Sequence, residues 1–334
     1  MSTRPRTVLA MRDRGLRDSL FSDRLRHRLH EVADCDYGLV VTHFGDRALD
    51  LSGTQVLLTG WGCDRIDTAA LERMPRLRLV AHAAGTVKGH VDPVCWERGI
   101  TVTTAASANA VPVAEFTLAQ ILLAGKAVLA ATHRYAEHKA RLARGELVLV
   151  GNYERTVGII SASTVGRMVL ERLKTYDLDV LLYDPTITPA EAAGLGGRLV
   201  GLDELMAASD IVSLHAPVLP TTIGMVGADQ LRRMKDGATF INTARGQLVD
   251  HAALRAEVGD GRINAVLDVT DPEPLPADDP LFDLPNVQLT PHIAGSMGTE
   301  LYRMAALAID EVERFGAGDP PRYGVTLADL ARMA

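Results

Sequence analysis

Short apolar runs and helically spaced stretches take turns along the chain. Residues 7–11, 38–42, 55–59, 77–81 and 99–103 each form a run with strand character, and residues 67–74 have helical spacing between two of them. Residues 16–32 read as one amphipathic helix whose arginines lie on the wet face. Strands alternating with helices predict a parallel sheet. A second series opens at Arg155, with runs at 156–160, 180–183, 211–214, 238–241, 265–267 and 287–290. Six strands with intervening helices match a doubly wound dinucleotide fold, and residues 167–176 are its first helix.

Between the two series, residues 112–131 read as a long helix with Pro112 in its first turn. Its apolar stripe, including Phe116, Leu118, Ile121, Leu122, Val128 and Leu129, is nearly continuous. A helix apolar on most sides is buried between domains or against a second subunit, so a homodimer through this helix is expected. Residues 132–150 read as an extension of it and a loop. Residues 298–315 are helical again and are expected to return to the first domain. The predicted fold is therefore α/β, with two Rossmann-like doubly wound parallel-sheet domains and a cleft between them. Residues 1–105 plus 295–334 form a discontinuous, flavodoxin-like substrate domain, and 106–294 the dinucleotide-binding domain.

Length agrees, since 334 residues exceed the size at which one core keeps growing. A hydrophobic share of 47% with 23% charged residues is that of a soluble globular protein. A formal charge of −7 argues against nucleic acid or an anionic membrane as partner. Cys35, Cys63 and Cys95 show no disulfide or zinc spacing, and His82 and His90 no metal-ligand spacing, so no metal is expected. The Arg-rich start contains Asp13, Asp18 and Asp23, unlike a transit peptide. No apolar run reads as long enough to span a bilayer, and a cytoplasmic protein is expected.

The run at 156–160 leads directly into Ser161-Ala162-Ser163-Thr164-Val165-Gly166. A dinucleotide turn would carry glycine at the first, third and sixth of these positions, and only Gly166 does. Strand, tight turn and helix are nevertheless present. Asp184 ends the next strand, near the spacing of an acid that hydrogen-bonds the ribose hydroxyls. A carboxylate there repels a 2′-phosphate, which favours NAD over NADP. If Ser161 must adopt positive φ, it stores strain of about 1–3 kcal/mol. Ser163 either crowds the pyrophosphate or donates to it beside the free N–H groups of the helix start. If the serines cost strain, glycine at either position should tighten binding. The bland alternative is an ordinary turn without a ligand.

Three polar residues follow apolar runs in the last third: Arg245, Glu273 and His292. Each is placed where a strand opens into a loop, the edge at which open α/β sheets bind ligands. An imidazole beside a carboxylate, with a guanidinium nearby, suits proton transfer at a carbonyl oxygen with grip on a carboxylate. Singly, Arg245 could cap a strand, Glu273 could be a solvated loop acid, and His292 a satisfied core histidine. Three such coincidences at three strand ends are harder to explain.

Together these segments resemble the NAD-dependent D-2-hydroxyacid dehydrogenase family. The resemblance rests on Asn242-Thr243-Ala244-Arg245-Gly246, Leu267-Asp268-Val269, Glu273-Pro274, Pro291-His292, and His215-Ala216-Pro217 with Thr222. It extends weakly to Ala84-Gly85-Thr86-Val87, Gly99-Ile100 and Val113-Ala114-Glu115. It implies that His292 protonates a 2-oxo acid as hydride arrives, and that Glu273 orients the imidazole and keeps it charged. Arg245 would hold the substrate carboxylate and polarise the keto group, a task suited to its planar fork. The N–H groups of Thr86 and Val87 would hold that carboxylate from the other domain. Ser163, Thr164, Val165, Asp184, Thr243, Ala244 and Asp268 would contact the dinucleotide, Asp268 near the nicotinamide amide, and His215, Pro217 and Thr222 would lie beside the adenosine. Glu273 argues against the formate dehydrogenase branch, where a glutamine would stand. Lys88 is either a solvated lysine or a reader of a second acidic group, and Trp61 lines the pocket or packs. The rivals are a non-catalytic NAD-sensing protein of the same fold, such as a corepressor, and an enzyme using another donor, such as phosphite.

Overall fold

The computed structural model describes residues 4–140 and 150–330. The chain forms two compact units, one through Asn109 and again from Ser296 onward, the other Ala110–Gly295.

The first unit begins β1 (Arg6–Ala10), α1 (Arg14–Leu20), α2 (Asp23–Val32), β2 (Asp34–Val41) and β3 (Val56–Thr59). It continues with α3 (Thr68–Arg73), β4 (Leu79–His82), α4 (Val94–Glu97) and β5 (Thr101–Thr104). The five strands are parallel in the order β2-β1-β3-β4-β5. Edge strand β2 starts well before its apolar run, because one face is solvated and its first residues alternate exposed and buried. The single helix expected over 16–32 is two. Asp13 caps α1 through the Leu16 N–H at 2.7 Å, Phe21 is extended, and Ser22 caps α2 through the Leu25 N–H at 3.4 Å. Leu20, Phe21, Leu25 and Leu29 are all buried. Continuous burial across the break is what made two helices look like one.

The boundary between units falls inside α5 (Ala106–Gly125), which is followed by α6 (Val128–His138). The expected helix over 112–131 is corrected at both ends. It starts six residues before Pro112, which lies in its interior, and it breaks at Ala127, whose φ is +48°. The break has a tertiary cause: the Gly151 N–H and the Asn152 amide return to the Gly125 and Leu122 carbonyls, at 2.7 and 3.0 Å. The Gly125 carbonyl, at the end of the helix, would otherwise lack a helical partner. With the earlier start, α5 is long and apolar enough to cross a membrane by length and composition, which corrects the reading of apolar runs. Ala114 and Ile121 of α5 are buried in a core cluster with Val157, Ile159 and Ile241, as in a core helix. Of the expected extension over 132–150, α6 accounts for the part through His138, and residues 141–149 lie outside the described residues.

The second unit continues β6 (Arg155–Ile160), α7 (Thr164–Leu173), β7 (Leu178–Tyr183), α8 (Pro189–Gly194), β8 (Arg198–Leu199) and α9 (Leu202–Ala208). Then come β9 (Ile211–Leu214), α10 (Ala228–Arg233), β10 (Thr239–Asn242), α11 (His251–Gly259), β11 (Asn264–Leu267) and β12 (Val287–Leu289). Seven parallel strands run in the order β8-β7-β6-β9-β10-β11-β12. β8 has two residues at the sheet edge, too few to show a pattern. The order reverses between β6 and β9, so the loops after them open a crevice at the topological switch point. Each face of the sheet is covered, with Ile160, Leu214 and Phe240 in one cluster and Ile159, Ile211 and Ile241 in the other. That is why these strands read as unbroken apolar runs.

From Ser296 the chain adds α12 (Leu301–Ala317) and α13 (Leu327–Leu330) to the first unit. α12 lies on β4, α1 and α2, burying Met304, Leu307, Ala308, Ile309 and Val312. Buried Glu311 accepts from the Arg322 and Tyr323 N–H groups at 3.1–3.2 Å and so anchors the segment after α12.

Candidate active site

At the end of β6, Ser161 takes φ +80°, the left-handed region that disfavours a side chain. Its hydroxyl donates to Asp184 Oδ2 at 3.2 Å, and the Ala162 N–H donates to the same oxygen at 2.8 Å. The Thr186 N–H and hydroxyl donate to Oδ1 at 2.8 and 2.6 Å. Burial alone would raise the Asp184 carboxyl, yet these bonds from Thr186, Ala162 and Ser161 hold it below its ordinary value. Asp184 is therefore anionic, and it clasps the turn. Ser163 is the N-cap of α7, its Oγ accepting from the Gly166 N–H at 3.3 Å. That role leaves its O–H free to donate. Thr164 and Val165 form the first turn of α7, whose N–H groups have no intrahelical partner. At Gly166 an added Cβ would stand 2.0 Å from the Ser161 carbonyl oxygen, so helix and strand can close only on glycine.

The Ser161 hydroxyl offsets the strain of its backbone, which makes glycine there a smaller gain than strain alone would suggest. A hydrogen bond to a charged group contributes about 1.5–3 kcal/mol, and left-handed backbone costs about 1–2 kcal/mol. Ser161→Gly loses both and should leave stability close to wild type. Ser161→Ala loses the bond and keeps the strain, so it should be less stable than wild type by about 1.5–3 kcal/mol and than Ser161→Gly by about 1–2 kcal/mol. Urea unfolding of the three proteins checks this order.

Next along the sheet, the His215 N–H reaches the Ile160 carbonyl at 2.9 Å, joining the ends of β6 and β9. Its ring meets the Ser213 hydroxyl at 3.0 Å, and burial pushes the imidazole down to about 3, so it is neutral. The Thr222 hydroxyl donates to the Pro217 carbonyl at 2.6 Å and accepts from the Leu219 N–H at 2.8 Å, closing that loop on itself.

After β10, Thr243 is buried with its hydroxyl 2.9 Å from that of Thr117 on α5. Asn242, which the sequence did not mark as functional, shapes the turn that presents Arg245. Its amide accepts from the Ala244 N–H at 3.0 Å and donates to the Arg245 carbonyl at 2.9 Å. The half-buried Arg245 guanidinium donates to the Ala244 carbonyl at 2.6 Å. Burial lowers its affinity for a proton and Glu273 opposes this, but an arginine so placed stays charged.

Asp268 directly follows β11 and is buried, and its carboxylate organises the loop after β12. It accepts from the Thr290 hydroxyl at 2.6 Å and from the Ile293 and Ala294 N–H groups, each at 2.9 Å. Its carbonyl accepts from the His292 N–H at 3.0 Å. So held, His292 takes φ +56° and sets its Nδ1 2.6 Å from Glu273 Oε1. With Nδ1–H donating to a carboxylate, Nε2 is the nitrogen left to exchange a proton. Both side chains are nearly half exposed, at 48% and 41%, so solvent and substrate can reach them. The structure thus brings His292 and Glu273 into contact and sets charged Arg245 within the electrostatic reach of Glu273. Thr86 and Val87 belong to the first unit, on the loop after β4, with Thr86 exposed and Val87 buried. The Thr104 hydroxyl donates to the Ala84 carbonyl at 2.9 Å just before them.

The second unit suits a dinucleotide. A close-packed turn at the switch point presents the free N–H groups of a helix start, with a buried carboxylate ending the adjoining strand. Comparison with known proteins agrees. Residues 118–294 match the profile described as "D-isomer specific 2-hydroxyacid dehydrogenase, NAD binding domain". The chain is 35% identical over 279 residues to a glyoxylate reductase of Korarchaeum cryptofilum, covering 83% of each protein. It is 32% identical over 267 residues to a D-3-phosphoglycerate dehydrogenase of Archaeoglobus fulgidus, of which it spans 50%. A solved D-lactate dehydrogenase from Aquifex aeolicus, complexed with NAD and lactic acid, is 26% identical with a TM-score of 0.70, covering 93% of this chain and 96% of that one. Sheet order, strand-end polar residues and these likenesses converge: the chain belongs to the D-isomer specific 2-hydroxyacid dehydrogenase family, NAD-dependent oxidoreductases acting on CH–OH donors.

Proposed function

We propose that this protein interconverts a small 2-oxo acid and its D-2-hydroxy acid, with His292 as the acid–base group. The observation carrying this reading is the 2.6 Å contact of His292 Nδ1 with Glu273, in the same unit as a half-buried Arg245. When bound, reduced NAD supplies the hydride. In that direction the His292 Nε2–H passes its proton to the substrate carbonyl oxygen as the carbon is reduced, giving C–OH. The Glu273 carboxylate stabilises the charged ring and fixes its orientation through Nδ1. Arg245 grips the substrate carboxylate with two parallel N–H donors and draws charge from the keto oxygen. Ser163 and the first turn of α7 hold the pyrophosphate, and Asp184 holds the adenosine ribose. Names borne by relatives, glyoxylate reductase and D-3-phosphoglycerate dehydrogenase, support a substrate among short 2-oxo acids. The test is NADH oxidation with a panel of 2-oxo acids from glyoxylate upward. Saturable turnover with one of them is expected; none with any, in protein that binds NADH, would count against the reading.

We also propose that a second copy of the chain covers α6. None of its residues is buried, and Leu123, Val128 and Tyr135 are exposed along α5 and α6. Light scattering should give twice the chain mass of 35.9 kDa, and a monomer at micromolar concentration would oppose this.

A further inference from the structure

His251 is the first residue of α11, six positions beyond Arg245, and only 6% of it is exposed. Its Nδ1 lies 3.2 Å from the Val249 carbonyl, and its Nε2 lies 3.2 Å from the Asp271 backbone N–H. A carbonyl can only accept and an N–H can only donate. The one form of the ring that satisfies both is neutral, with the proton on Nδ1 and the lone pair on Nε2. Asp271 is two residues before Glu273. His251 thus ties the end of the loop that starts at Arg245 to the loop that carries Glu273. The same two loops meet at Gly246, where an added Cβ would stand 2.1 Å from the Thr270 carbonyl carbon and oxygen.

We propose that His251 is a positioning residue whose neutral imidazole clasps the Arg245 loop to the Glu273 loop, and that its protonation opens the clasp. The inference rests on the reading of Arg245 and Glu273 as working groups. An imidazolium has N–H on both nitrogens, so on protonation Nε2–H would face the Asp271 N–H, donor against donor. Burial pushes the His251 imidazole below its ordinary value; the Val249 carbonyl opposes this, Arg255 adds to it, and Asp271 and Asp279 oppose it. Those are the charged groups around the ring: Arg255 on α11, Asp271 on the Glu273 loop, and Asp279 beyond it. Asp279 is itself held by Arg255 at 2.5–3.3 Å, which blunts its pull on the ring. The ring is therefore neutral, and the clasp closed, at neutral pH. As pH falls through the folded-state value, the proton binds, the Asp271 bond is lost, and Glu273 is freed from its place against His292. Folding follows the same sign: with the folded value depressed, stability is full above the unfolded value of about 6.5 and is lost as pH falls below it. Reduction itself calls for a protonated His292, so acid does not disarm the proton donor. A loss of reduction rate on the acid side is the signature of the clasp.

Two measurements test it. In protein labelled with ¹⁵N-histidine, with His251 assigned by the signal missing from His251→Gln, neutral pH should show the Nδ1-protonated neutral tautomer. An Nε2-protonated or charged ring would overturn the proposal, and this readout needs no substrate, so it stands apart from any failure of the reaction. The second measurement is kcat against pH for two variants. In His251→Gln an amide oxygen can accept from the Asp271 N–H and cannot titrate, so kcat at neutral pH should stay within about threefold of wild type and the acid-side loss should vanish. His251→Leu keeps the bulk but not the acceptor. Its kcat should fall roughly 10- to 100-fold at all pH values, as misplaced catalytic groups cost, with NADH affinity unchanged. Glutamine performing no better than leucine, or an acid-side loss that persists in His251→Gln, would overturn the clasp. Faster hydrogen exchange at the Asp271 amide in His251→Leu than in His251→Gln would support it; equal exchange would count against it.

Discussion

Replacing His292 with alanine is expected to lower kcat for 2-oxo acid reduction by about 10²–10⁴-fold, the usual contribution of a positioned acid–base group. That range corresponds to roughly 3–5 kcal/mol of barrier. The expectation follows from one nitrogen being committed to Glu273 at 2.6 Å, which leaves the other as the proton donor. NADH affinity should stay near wild type, because the cofactor turn at Ser161–Gly166 and Asp184 involves neither residue. Stability should change little, since the side chain is nearly half exposed. Glu273→Gln should cost less than the loss of the ring, because a neutral amide can still accept from Nδ1–H while giving up the negative charge beside it. Steady-state kinetics together with an NADH fluorescence titration would separate these effects. Unchanged turnover in His292→Ala would overturn the mechanism whatever the substrate.

Gly166→Ala should damage the cofactor site more than any serine substitution in the same turn. Its new Cβ would stand 2.0 Å from the Ser161 carbonyl oxygen and 3.5 Å from His215 Cβ, and the closer of these is backbone. No flexible side chain can yield, so the start of α7 must move away from the end of β6. Overpacking of this kind costs about 1–3 kcal/mol or more. In the proposed reading the moved helix also carries the N–H groups that would meet the pyrophosphate. NADH affinity should fall at least about tenfold, equivalent to ~1.4 kcal/mol, and the unfolding midpoint should drop with it. Ser163→Gly, by contrast, exchanges one acceptable N-cap for another at a cost of only a few tenths of a kcal/mol. An alanine variant binding NADH within twofold of wild type would show that this turn is not where the pyrophosphate sits.

The sequence by itself determined those features that depend on neighbours along the chain. Apolar runs buried on both faces of a sheet marked β6, β9 and β10 to within a residue or so. Turn-forming residues after such runs placed Arg245, Glu273 and His292 in the loops after β10, β11 and β12, and the spacing from Ser161 to Asp184 marked a strand–turn–helix unit despite two missing glycines. Helix ends were less legible. The break at Phe21 and Ser22 is a local capping event hidden by continuous burial, whereas the break at Ala127 depends on Gly151 and Asn152 folding back. Only the tertiary structure decided which polar groups meet across loops. Ser161 reaches Asp184, Asp268 organises the His292 loop, and His251 holds Asp271 across separations of 20 to 25 residues. Those pairings follow from strand order and register, which bring the ends of parallel strands together at one edge of the sheet. A hydrogen bond between two such ends is set by where the strands lie in space, and a one-dimensional pattern carries no record of that.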